Sequence, residues 1–119
     1  MPKILVIDGS KPTRKRMVLA LEQAGFAVIT ATNAAQGLSQ LGESQPHLVI
    51  LSDSSSAVNT DKFCAQVRQI SQVPIIVIGS GKGELTSLRF LEMGADAYMT
   101  KPVSLAVLVA QVRSLLRRT

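Results

Sequence analysis

Three places in the chain put a reactive polar side chain at, or one residue beyond, the end of a short apolar run. They are Asp8, the pair Ser52-Asp53, and Lys101. A carboxylate is a natural ligand for a hard cation such as Mg²⁺, and a lysine ammonium group neutralises a phosphate or another small anion. If the fold brings these groups together at one edge of a sheet, they mark the likeliest functional site in the chain.

The surrounding pattern predicts an α/β fold, because short apolar runs alternate with segments of helical spacing along the whole chain. The predicted strands are Lys3–Ile7, Phe26–Ala31, the run from Leu48, Pro74–Ile78 and Ala97–Met99. Three predicted helices begin at a capping residue: from Ser10 to about Ala24, from Asn33 to near Leu41 with a stop at Gly42, and from Ser104 to the chain end. Two more are predicted over about Thr60–Gln69 and over Glu84–Met93. Such alternation implies a parallel sheet covered on both faces, whose strands end at one common edge.

Composition limits the function classes. A chain of 119 residues with 46% hydrophobic residues is expected to form one domain, residues 1–119. We expect a cytoplasmic protein with no membrane partner, because no apolar run approaches the roughly 20 residues of a membrane helix. Cys64 is the single cysteine and is expected in the core.

The net charge of +5 is concentrated partly in Lys11, Arg14, Lys15 and Arg16. A solvated helix face is the favoured interpretation, since no aromatic residues interleave for base stacking. Direct nucleic-acid binding by this domain is therefore not expected.

The glycine-rich segment Gly79–Gly83 lies between a predicted strand and a predicted helix, where a phosphate could be held. Its spacing does not match a P-loop or a dinucleotide-binding fingerprint, so a flexible turn is favoured. A small-anion or nucleotide binder built on Lys101 and this turn stays open as a second alternative. His47, without a neighbouring acid or nucleophile, is interpreted as a surface turn residue.

Four segments together resemble the receiver domain of bacterial response regulators, including the CheY-like single-domain chemotaxis regulator. They are Lys3–Asp8, Pro46–Leu51, Pro74–Ile78 and, most specifically, Gly94–Pro102. The resemblance implies a single doubly wound, five-stranded parallel sheet of order 2-1-3-4-5 with five helices, flavodoxin-like, acting in two-component phosphorelay signalling. In that family the lysine at Lys101 reaches back to the phosphoryl group, and the proline after it is often cis.

Placed on this sequence, the family's active-site positions are mostly altered. The first of two adjacent acids is Asp8, but the second position is Gly9; the phosphoryl-accepting position is Ser52, and the usual hydroxyl after the fourth strand is Gly79. We therefore expect a degenerate phosphorylation site with no intact catalytic set. Asp8 alone is left as a metal ligand, so no cofactor is expected, and we expect Asp8 and Lys101 to form a direct or one-water ion pair.

Asp53 provides the main alternative. A one-residue extension of the third strand would make Asp53 the acceptor of an active, self-catalysing receiver, which would then need Mg²⁺. Because side chains alternate along a strand, one residue of slip points the carboxylate to the opposite face.

The expected function is therefore that of a pseudo-receiver: a signalling module, not an enzyme, that acts by protein–protein interaction. In the family, the fourth helix, fifth strand and last helix form the output face, and the aromatic at Tyr98 acts as a switch. Candidate residues on that face are Arg89, Phe90, Tyr98, Val107, Gln111 and Arg118. The expected partners are another signalling protein, an output domain of a longer regulator of which this chain is the N-terminal part, or a second copy in a homodimer.

Overall fold

A computed structural model of the chain describes residues 1–52, 60–80 and 84–118, apart from the side chains of 61 and 84–87. Within those residues the chain forms five strands and five helices in strict alternation. The strands are β1 (Lys3–Ile7), β2 (Ala27–Ala31), β3 (Leu48–Ser52), β4 (Ile75–Gly79) and β5 (Ala97–Thr100). The helices are α1 (Lys11–Gln23), α2 (Ala34–Ser44), α3 (Thr60–Ile70), α4 (Glu84–Glu92) and α5 (Leu105–Arg117).

All neighbouring strands pair in parallel, and the order across the sheet is β2-β1-β3-β4-β5. The predicted fold class and strand order are confirmed. The order reverses direction between β1 and β3, which is the point where an open α/β sheet leaves a crevice at its carboxyl edge.

The core consists of two apolar layers, one on each face of the sheet, because successive side chains of a strand point to opposite faces. One layer joins Leu5, Ile7, Val49, Leu51, Ile75 and Val77 to residues of α2 and α3, including Phe63 and the predicted core residue Cys64. The other joins Ile4, Val6, Leu48, Ile50, Ile76 and Ile78 to Met17 and Leu21 of α1 and Leu108, Val112 and Leu115 of α5. This two-sided burial explains why the central strands are continuous apolar runs.

The predicted helix caps are present at two of three positions. The side chain of Asn33 accepts a hydrogen bond from the Gln36 amide, and that of Ser104 accepts one from the Val107 amide. Ser10 occupies the cap position of α1, but its hydroxyl makes no capping bond and instead lies 3.1 Å from Thr13 Oγ1.

The predicted end of α2 near Leu41, with a stop at Gly42, is wrong. The helix continues through Ser44, and Gln45 takes the left-handed capping conformation with φ 48°. An exposed glycine inside a helix costs only about 1 kcal/mol, which the buried side chain of Leu41 offsets. The true terminator is Pro46, because the residue before a proline is disfavoured in the α conformation.

Arg68 of α3 holds the amino ends of β4 and β5 together. Its guanidinium donates to the carbonyl oxygens of Val73 and Gly94 (both 2.7 Å) and to Asp96 Oδ2 (2.8 Å). The same Asp96 oxygen accepts a hydrogen bond from the Ile75 amide at 2.8 Å. These contacts fix the strands whose opposite ends carry Gly79 and Lys101.

His47 is exposed, as expected of a surface turn residue, and lies at the amino edge of the sheet, away from these strand ends. Its Nδ1 accepts a hydrogen bond from the Lys3 amide at 3.0 Å, and its own amide donates to the Lys3 carbonyl at 2.8 Å. The role of the ring there is to join the starts of β1 and β3.

The longest described helices, α1 and α5, have 13 residues each. None of the described helices combines the length and hydropathy needed to cross a bilayer.

Candidate functional site

The candidate residues of the first, third, fourth and fifth strands lie together at the carboxyl edge of the sheet. Ile7 pairs with Leu51, so the next residues of each strand, Asp8 and Ser52, are neighbours. On the other side of β3, the β4 strand ends at Gly79, whose carbonyl accepts a hydrogen bond from the Lys101 amide at 2.9 Å. The parallel register alone therefore brings together residues separated by more than 90 positions in sequence.

Asp8 and Ser52 share one side of the sheet. Asp8 follows Val6 by two residues and Ser52 follows Ile50 by two, and both of those residues belong to the core layer beneath α1 and α5. The two side chains are fully buried, with 0% exposure each. Asp53, the alternative acceptor, lies outside the described residues, as do residues 54–59.

The loop between β1 and α1 is held by Asp8. Asp8 Oδ1 accepts a hydrogen bond from the Ser10 amide at 2.9 Å, and the Asp8 amide donates to the Ala31 carbonyl at 3.0 Å. Gly9 is exposed between them, at the position of the family's second acid. The carboxylate thus has a structural role in closing this loop as well as its place in the site.

Arg14 is a residue of the site that the sequence analysis missed. Its Nη1 donates to the carbonyl oxygen of Asp8 at 2.7 Å, so a cation of α1 lies over the strand end. From the sequence, Arg14 is interpreted as part of a solvated helix face. The available signal was its position one helical turn into α1, from which a long side chain can reach back over the preceding loop.

The described residues bring a single carboxylate, that of Asp8, to the strand ends of this edge. At the strand ends they provide the carboxylate of Asp8 and the hydroxyl of Ser52, and nowhere in the described part of the chain do three His, Cys, Asp or Glu side chains come together in a group that could hold a metal. Mg²⁺ is usually bound by one or two carboxylates together with phosphate oxygens and water. The glycine turn of the second alternative is described only at Gly79 and Ser80, since 81–83 lie outside the described residues.

Aromatic residues join α4 to β5, the strand at one end of the sheet order. The rings of Phe90 and Tyr98 are stacked, with centroids 5.1 Å apart and an interplanar angle of 6°. The guanidinium carbon of Arg89 lies 5.7 Å from the centre of the Phe90 ring. Both rings are partly buried and pack on the α2–α3 core layer, so the position of Tyr98 is coupled to α4 rather than isolated on the surface.

Apolar side chains are exposed on the helices that flank β5. Leu88 and Leu91 of α4 are 47% and 43% exposed, and Val107 of α5 is 48% exposed. Gln111 is partly buried and Arg118 is exposed. Exposed apolar side chains favour contact with another protein where they form a contiguous patch.

Comparison with known proteins identifies the family. A family model described as the response regulator receiver domain matches residues 4–113. Transcriptional regulatory protein AfsQ1 of Streptomyces coelicolor is 34% identical over 118 residues, covering 99% of this chain and 52% of that protein. The phosphate regulon transcriptional regulatory protein PhoB of Pseudomonas aeruginosa is 32% identical over 119 residues, covering 98% of this chain and 52% of that protein.

The solved structures agree with the sequence comparison. A two-component response regulator from Clostridium difficile superposes with a TM-score of 0.92 at 28% identity, covering 99% of this chain and 98% of that chain. The chain spans about half the length of the curated relatives that it matches.

Proposed function

Because this chain belongs to the response regulator receiver domain family, we propose that it is a pseudo-receiver: a two-component signalling module whose phosphorylation site is degenerate. The observation that carries the proposal is the register of β1 and β3, which sets the buried hydroxyl of Ser52 beside Asp8. A receiver that accepts a phosphoryl group needs a carboxylate at that place.

The surrounding residues support the same proposal. Gly9 and Gly79 have no side chain with which to bind a metal or a phosphoryl oxygen. The positive charge of Lys101, and that of Arg14 above Asp8, remain at the edge, but they could only stabilise charge on a phosphoryl group that another residue had accepted. The site has kept its cationic part and lost the carboxylate acceptor and the second acid.

A module of this kind acts through its surface. The proposed surface is the α4–β5–α5 face, which carries the exposed Leu88 and Leu91 on α4, the exposed Val107 on α5, and the stacked pair of Phe90 and Tyr98. The proposed occupants are a signalling protein, an output domain or a second copy of the chain. The relatives named as transcriptional regulators are about twice as long as this chain, which favours an output domain among the candidates.

Labelling with a small phosphodonor tests the proposal. The purified chain is incubated with Mg²⁺ and radiolabelled acetyl phosphate, beside the variant Gly9→Asp/Ser52→Asp, which restores both missing acids. We expect no acid-stable, hydroxylamine-sensitive label on the wild-type chain, and a label on the restored variant.

The variant Asp53→Asn separates the alternatives. If the wild-type chain is labelled and Asp53→Asn abolishes the label, Asp53 is the acceptor and the proposal is wrong. If beryllofluoride with Mg²⁺ changes the NMR spectrum of the wild-type chain saturably, the site is competent and the proposal is equally wrong.

A further inference from the structure

Strand β2 forms one end of the sheet, so one side of its backbone has no neighbouring strand among the described residues. The Ala27 amide donates to a carbonyl oxygen of the segment before β1, and the Ala31 carbonyl accepts from the amide that follows β1. Backbone groups alternate in direction along a strand, so the odd-numbered residues of β2 face β1. The amides and carbonyls of Val28 and Thr30 therefore face the free edge.

This free section of the edge is short and bounded on both sides. The Phe26 amide donates to a carbonyl oxygen of α1 at 3.1 Å, and the Thr32 amide donates to Gln36 Oε1 at 2.8 Å. The strand itself contains no charged residue and no proline, which are common means of preventing an edge strand from pairing. Val28 and Thr30 thus offer their donors and acceptors to one short strand.

An open cleft lies between α1 and this edge, with Thr30 as one wall. The other wall is a stripe of α1 residues spaced three or four positions apart, which places them on one side of the helix. The α1 stripe consists of Lys11, Arg14, Lys15, Val18, Leu19 and Glu22. It is basic at its start, apolar in its middle, where Leu19 is 57% exposed, and acidic at its end. The charge of the α1 stripe therefore changes sign along the edge.

We propose that the β2 edge binds the β2 edge of a second copy of this chain, so that the two sheets become one across a homodimer. A twofold axis beside Ile29 sets Val28 of each copy opposite Thr30 of the other, and their hydrogen bonds use the amides and carbonyls that face the edge. The axis is perpendicular to the sheet, so the two α1 helices lie on the same face and run in opposite directions.

Charge complementarity favours a second copy over an unrelated strand as the occupant. In the antiparallel arrangement, the basic start of each α1 stripe lies toward Glu22 of the other copy, and the apolar middles meet. The cleft on the α2 side contains one charged residue, Glu43, near the end of its helix, so the same symmetry keeps its two copies apart. The inference goes beyond the pseudo-receiver function and does not depend on it. Because β2 and β5 are at opposite ends of the sheet order, this dimer leaves the α4–β5–α5 face accessible to a partner.

Amide hydrogen exchange, measured by NMR at protein concentrations up to about 1 mM, tests the pairing. The variant Val107→Glu is the background, so that association through the α4–β5–α5 face does not contribute. We expect the protection of the Val28 and Thr30 amides to rise with the dimer fraction measured by sedimentation velocity. The Ile29 amide faces β1 and should be protected at every concentration. A monomer throughout, or exchange at Val28 and Thr30 that does not depend on concentration, would overturn the proposal.

Charge reversal tests the orientation. In the same background, Glu22→Lys makes the α1 stripe wholly basic, and Lys11→Glu/Lys15→Glu makes it mostly acidic. Each should raise the dissociation constant of the dimer about tenfold, whereas a mixture of the two should restore association because opposite charges then meet. The matched control Glu92→Lys changes an exposed residue of α4 and should alter the constant by less than about twofold. Equal effects of Glu22→Lys and Glu92→Lys, or a mixture that does not associate, would contradict the antiparallel arrangement.

Thr30→Pro tests the backbone contact. It removes one edge donor from each copy, and proline is tolerated on an edge strand where the amide points to solvent, so the monomer should keep its fold by circular dichroism. We expect a dissociation constant about tenfold or more higher. Thr30→Ala keeps the amide and is the matched control. If the two variants associate equally well, β2 does not pair and the proposal is wrong.

Discussion

Replacing Ser52 by aspartate restores the family's acceptor carboxylate and tests the geometry of the site through stability. Ser52 is fully buried and lies beside the equally buried Asp8 on the adjacent strand. Strands in a sheet are about 4.8 Å apart. At an effective dielectric constant of about 20, two like charges at that separation repel by about 3 kcal/mol.

The assay is urea denaturation at neutral pH in the presence of a chelator, followed for Ser52→Asp and for its uncharged control Ser52→Asn. The two side chains have nearly the same shape, so the difference between their unfolding free energies isolates the charge. We expect the aspartate variant to be less stable than the asparagine variant by about 3 kcal/mol. Adding Mg²⁺ should recover up to about 2.7 kcal/mol when the ion is at one hundred times its dissociation constant.

The pH dependence gives a second check of the same reasoning. Burial and the neighbouring carboxylate should raise the pKa of the introduced carboxyl group in the folded state above its unfolded value. The folded state then binds more protons between those two values, so the stability of Ser52→Asp should fall as the pH rises through that window. Equal stabilities of the two variants at neutral pH would refute the placement of Ser52 beside Asp8.

Three further outcomes follow from the described contacts. Asp8→Ala and Lys101→Met should each lower the unfolding free energy by about 1–3 kcal/mol, and the double variant should cost less than the sum if the two charges are coupled. Gly37→Ala should destabilise the fold by about 1–3 kcal/mol by overpacking, because an added Cβ meets the buried Ile7 side chain. In the same helix, a Cβ added at Gly42 meets open space, so Gly42→Ala should stabilise the fold by about 0.5–1 kcal/mol. Val107→Glu should abolish any self-association through the α4–β5–α5 face, as measured by sedimentation velocity.

Each of these has its own check. Simple additivity in the denaturation cycle would contradict the predicted pairing of Asp8 with Lys101. Equal effects of the two glycine substitutions would contradict the close approach of α2 to β1. Ile70→Glu is the control for the association experiment, since Ile70 is 66% exposed but lies at the end of α3. A loss of association in both variants would assign the effect to charge rather than to the face.

The sequence was informative about this fold because the elements are encoded locally. Continuous apolar runs predicted buried strands, and Asn33 and Ser104 marked helix starts by side chains that bond to amides three residues ahead. The sequence mispredicts the end of α2, because a glycine is compatible with a helix interior and the proline further along ends the helix. Gly42 is exposed and tolerated, whereas Pro46 acts through the conformation of Gln45.

The identities of the strand-end residues were also available from the sequence alone, including the glycines at positions 9 and 79 and the serine at position 52. Their spatial relation was not, because it depends on the register between strands that are far apart in the chain. Pairing of Ile7 with Leu51 is what makes Asp8 and Ser52 neighbours. The reach of Arg14 to the Asp8 carbonyl arises only when α1 packs back against the end of β1. Hydrophobic periodicity specifies which residues are buried. It does not specify how the helices and strands are arranged in space, and that arrangement decides which groups the long polar side chains at the edge contact.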